Sequence, residues 1–101
     1  MEDQGNSLLL LQEERCRVAR ICLIPGSSLS LCAYHSDCIV IVLEGTMGVT
    51  VGEITFLHSE QEVNPLVIRR GEKYVMSNPG KILLVILKIQ RGEYLAEEEE
   101  A

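Results

Sequence analysis

From Leu8 onward the apolar residues come in short runs, each cut off within several positions by glycine, proline, asparagine or serine. The rhythm predicts strands of a sandwich or barrel. The runs occupy residues 8–12, 15–24, 28–34, 39–43, 46–51, 53–58, 66–69, 73–77 and 83–90. In KILLVILKIQ and TMGVTVG the aliphatic and β-branched residues recur on one face, the mark of a strand with one side in a core. The pairs Pro25-Gly26, Glu44-Gly45, Val51-Gly52, Arg70-Gly71 and Pro79-Gly80 supply turn residues between the runs. Because EITFLH follows VTVG directly, the two form a hairpin with Gly52 near its tip. No segment longer than about ten residues carries a 3.6-residue apolar period. The leucines at 8–11, with QEER behind them, suit a short helix or an opening strand equally. An all-β fold with very little helix is expected.

The 101 residues are enough for one small core, and the mix of 47% hydrophobic and 24% charged residues is that of a globular chain. No apolar run approaches the ~18 residues needed to span a bilayer, so no membrane partner is expected. MEDQGNSLLLLQ puts acids ahead of the leucines and has no small-residue cleavage site, which predicts a cytoplasmic protein. Reduced thiols are then expected at Cys16, Cys22, Cys32 and Cys38. Glu97 to Glu100 supply four of the negatives behind the net charge of -6. An acidic balance without a basic stripe or stacking aromatics argues against nucleic acid as a partner. The expected organisation is a flexible N-terminus at 1–7, a barrel at 8–96 and a solvated acidic tail at 97–101.

The stretch GSSLSLCAYHSDCIVIVLEG, residues 26–45, opens and closes on glycines. With it come IPGSSLSL, the Gly45-Thr46 turn, the VTVGEITFL hairpin, NPGKI and the ending RGEYL. In this order and spacing they resemble the cupin domain of the type II mannose-6-phosphate isomerases. That domain is usually the C-terminal part of bifunctional mannose-1-phosphate guanylyltransferases. The likeness runs from about Arg17 to Glu97. It implies a jelly-roll barrel, the double-stranded β-helix, and in the relatives a bound metal that polarises a sugar carbonyl.

The family pattern is a glycine, five residues, His-x-His, three or four residues, Glu, six residues and a glycine. Gly26 and Gly45 keep the frame, but Cys32, Tyr34 and Cys38 stand at the ligand positions. The second motif, Pro-x-Gly-x-x-His-x-x-x-Asn, reads RRGEKYVMSN over 69–78, with Gly71 and Asn78 kept and Tyr74 in place of histidine. The resemblance thus implies that Cys32, Tyr34, Cys38 and Tyr74 replace metal ligands inside the barrel. A divalent metal needs three or four converging imidazole or carboxylate donors, and a neutral phenol is a poor one. The first expectation is therefore a non-catalytic module with no cofactor. The alternative is a sugar-phosphate isomerase whose zinc-like metal sits on Cys32, His35 and Cys38, His35 being a remnant of the relatives' histidine cluster.

Arg69, Arg70 and Lys73 around Gly71 are candidates for holding a sugar phosphate at the barrel mouth. His58 has no nucleophile elbow beside it and is given no catalytic role. Neither type of phosphate-cradling glycine loop is present, so guanylyl transfer is not expected of these residues. Small cupins commonly pair, which implies a homodimer, and the leucines opening the strand at 8–12 are suited to such an interface.

Overall fold

A computed structural model describes residues 5–32 and 36–92. Nine strands follow one another: β1 (Gly5–Glu13), β2 (Cys16–Leu23), β3 (Ser28–Cys32), β4 (Ser36–Glu44), β5 (Thr46–Val51), β6 (Ile54–Ser59), β7 (Leu66–Ile68), β8 (Lys73–Ser77) and β9 (Leu84–Gly92). Each falls on one of the apolar runs, and the described residues contain no helix. The leucines at 8–11 lie in β1, which starts at Gly5 because Gly5, Asn6 and Ser7 find ladder partners in Leu23, Cys22 and Ile21.

The strands form two antiparallel sheets, one ordered β1-β2-β9-β4-β7 and the other β3-β8-β5-β6. Alternation along each strand turns one face of each sheet inward. Ile21, Leu23, Val40, Val42, Ile68, Leu84 and Ile86 from the larger sheet meet Met47, Val49, Tyr74 and Met76 from the smaller one in a single core. Cys38 lies in this core as well.

The two glycines of the 26–45 frame have positive φ, +86° at Gly26 and +94° at Gly45, a region that side chains with a Cβ rarely adopt. At Gly45 an added Cβ would also meet the Leu83 carbonyl oxygen at 3.2 Å. The Gly45 amide donates to Glu60 Oε1 at 2.7 Å, so the turn out of β4 is tied to the end of β6. Asn78 closes the neighbouring turn before β9. Its buried Nδ2 donates to Leu23 O at 2.9 Å and Ile82 O at 2.8 Å, while Oδ1 accepts from the Gly80 amide at 3.0 Å.

Candidate functional site

The register of the larger sheet sets the inward rows. One row is Ile21, Ile86 and Val42; the next is Ala19, Lys88, Val40 and Leu66; the next is Arg17, Gln90, Cys38 and Ile68. Residues directly opposite across a ladder share a face, so each row lies on one side of the sheet. The inward face of the larger sheet therefore changes from aliphatic at Ile21, Ile86 and Val42 to mixed polar and apolar at Arg17, Gln90, Cys38 and Ile68. Lys88 is 1% exposed and Gln90 2%. Together with Asn78 they are the buried polar or charged residues among those described.

From the smaller sheet, Tyr74 reaches the same end. Its hydroxyl lies 3.5 Å from Cys38 Sγ, within hydrogen-bond reach for sulfur, and both residues are buried. Positions 38 and 74, far apart in the chain, thus meet inside the barrel as packed members of the core. Cys32 pairs with Lys73 in the β3–β8 ladder, which leaves Leu31 opposite Tyr74. Tyr34 and His35 lie outside the described residues, so of the alternative set Cys32, His35 and Cys38 only the Cys38 side chain is described.

Among the described residues no group of three or more His, Cys, Asp or Glu side chains could hold a metal ion. At positions 38 and 74 stand a thiol and a phenol, with an ammonium one row away. No disulfide joins Cys16, Cys22 or Cys38 among the described residues.

Arg69 and Arg70 sit in the turn after β7, and Lys73 opens β8; all three are exposed. Asp37 holds this turn through the Arg70 amide, which donates to Oδ1 at 3.0 Å, and Arg70 Nε lies 3.8 Å from the same oxygen. The Arg69 amide donates to Glu72 Oε1 at 2.9 Å. The two carboxylates thereby offset part of the positive charge that would attract a phosphate. His58, half-buried at the end of β6, borders a hollow of about 90 Å³ with Ser59 and Glu62.

Arg17, Lys88 and Gln90 were not among the site candidates drawn from the sequence. The signal for Lys88 and Gln90 was present in KILLVILKIQ, where they continue the every-second-residue series of Leu84 and Ile86. A polar residue on the apolar phase of a strand is the informative exception.

Comparison with known proteins gives the ancestry of this barrel. A family model described as "Mannose-6-phosphate isomerase C-terminal" matches residues 4–100. The chain belongs to this family. Among its relatives, the mannose-1-phosphate guanylyltransferase of Sinorhizobium fredii is 35% identical over 97 residues, 94% of this chain and 18% of that protein. Mannose-1-phosphate guanylyltransferase 2 of Escherichia coli O157:H7 is 38% identical over 89 residues, 87% of this chain and again 18% of that protein. The chain thus spans less than a fifth of these relatives.

Solved structures agree on the fold. The Cnp3 cupin domain of Schizosaccharomyces pombe superposes with a TM-score of 0.82 at 20% identity, covering 90% of this chain and 66% of that one. A conserved double-stranded β-helix protein from Klebsiella pneumoniae gives 0.83 at 12% identity, over 95% and 79% of the two chains. The isomerase-family chain is an all-β cupin, and no helix among its described residues is long and apolar enough to cross a membrane.

Proposed function

We propose that this member of the mannose-6-phosphate isomerase family is a non-catalytic cupin, a cytoplasmic binding and assembly module that has kept the barrel without the metal chemistry. The observation that carries the proposal is the Cys38–Tyr74 contact. Two positions that supply ligands in the family pattern are occupied here by a thiol and a phenol packed with Ile68 and Met76. A thiol so placed acts as a small apolar filler. Fold and chemistry are separable, and the turns survive where the ligands do not. An isomerase with zinc on Cys32, His35 and Cys38 is the competing account. Metal content measured on the purified, reduced protein separates the two.

Assembly is supported by the outer face of the larger sheet. Leu11, Val18, Ile89, Ile39 and Val67 form one row across all five strands, and Leu8 lies in the adjoining row with Arg20, Leu87 and Ile41. A register shift between Leu9 and Leu11 in β1 places both Leu8 and Leu11 on this side. The leucines at 8–11 are 43–55% exposed and Val67 49%. A second copy laid against this face would cover the row and the β1 edge together, in an isologous homodimer.

A further inference from the structure

We infer that the free edge of β6 is a docking site for an extended, basic segment of another protein, which pairs with it as an added strand. The inference rests on reading the barrel as a binding and assembly module, and it names the class of partner. The two sheets end in four edge strands, β1, β7, β3 and β6. Unpaired N–H and C=O groups on such an edge are a template for another chain, and proteins blunt them with bulges, short length, proline or lysine. A register shift interrupts β1, and β7 is three residues long. β6 has none of these devices. It runs from Ile54 to Ser59 in unbroken register with β5, holds no proline, glycine, lysine or arginine, and among the described residues pairs on that side alone.

The side chains point the same way. The three most exposed large apolar residues among those described, Val63 at 93%, Ile54 at 67% and Leu57 at 65%, all lie on β6 or in the connection after it. At the end of the strand His58, Val63 and Pro65 line the hollow of about 90 Å³ against Val42 of β4. A docked strand finds ladder partners, apolar contacts and a recess for one side chain together. Charge then selects the occupant. Between Arg20 and Arg69 the sequence has no lysine or arginine, while exposed Glu53 stands before β6 and exposed Glu60 and Glu62 stand after it. A second copy paired antiparallel along this edge would set its Glu53 end against the Glu60 and Glu62 end, acid against acid. A different chain with lysine or arginine at its ends meets the same acids favourably. β6 belongs to the smaller sheet, so a homodimer on the outer face of the larger one leaves this edge open.

Fluorescence anisotropy of the whole chain with a labelled short peptide, alternating valine and threonine between terminal lysines, tests the proposal. The peptide binds, and amide hydrogen exchange slows across Ile54–Ser59. Glutamate in place of the lysines weakens binding by about tenfold, the scale of two surface ion pairs turned to repulsion. N-methylation of the peptide amides, which removes the ladder donors, abolishes it. Leu57→Lys, which installs the cation that edge strands often carry, weakens it by at least as much. Glu53→Lys with Glu62→Lys reverses the preference toward the glutamate-ended peptide. No binding by about 1 mM, the weak end of specific association, overturns the proposal. So does undiminished binding to Leu57→Lys that is folded by circular dichroism, or protection gained at β1 or β3 in place of β6. Larger species of the chain alone that Leu57→Lys disperses would assign the edge to a second copy and overturn it equally. Metal-dependent isomerase activity would overturn the module reading and leave peptide binding in place, so the two failures are distinguishable.

Discussion

Tyr74, Cys38 and Asn78 are buried and hold the barrel together. Tyr74 fills core volume beside Cys38, so Tyr74→Ala should destabilise the fold by about 3–5 kcal/mol, the usual cost of deleting a buried aromatic. Tyr74→Phe, which keeps the ring, should cost about 1 kcal/mol, the net worth of one hydrogen bond. Urea unfolding curves of the two variants check this, and equal losses would mean that the hydroxyl rather than the ring is what matters. Asn78 joins β2 to the turn before β9 through three hydrogen bonds. Asn78→Ala leaves buried carbonyls without donors and should lower stability by about 2–4 kcal/mol in the same assay. Asn78 is one of the two motif residues kept at 69–78, and here it works as a structural clasp.

Among the elements, the turns and the hairpin carried the most information in the sequence. Gly52 and Glu53 connect Val51 to its partner Ile54, the tight hairpin expected from VTVGEITFL. Gly45→Ala should cost about 1–3 kcal/mol, because the residue is held at positive φ with the Leu83 carbonyl close by. A shift in the thermal midpoint measures it, and an unchanged midpoint would contradict the strain assigned to that turn. What the sequence left open was β1, where four leucines in a row show neither strand nor helix periodicity. Pairing with β2 decides it, and the register shift decides which leucines face outward. Leu8→Asp together with Leu11→Asp should therefore move the protein from dimer to monomer on a sizing column coupled to light scattering. A parent that is already monomeric, or a double variant that stays dimeric, removes this face from the assembly proposal.

At the scale of the whole molecule, a barrel whose frame is legible from its glycines encloses an interior that is not. Alternation reports that a residue faces inward, and only the order of strands reports which inward residues meet. Cys38 and Tyr74 could be placed on separate motifs from the sequence. Their contact depends on β4 and β8 lying in different sheets whose inner faces pack together. Lys88 and Gln90 join them because β9 pairs with β4 in the middle of the larger sheet, a crossover that local sequence does not encode. The central claim is that the family's barrel persists here while its metal chemistry has been replaced. Elemental analysis by plasma mass spectrometry tests that most directly, on reduced protein incubated with zinc, manganese or iron and then desalted. Metal far below one equivalent in a folded protein is the predicted result. Near-stoichiometric metal that disappears on Cys38→Ser would contradict it and restore the barrel to the enzymes.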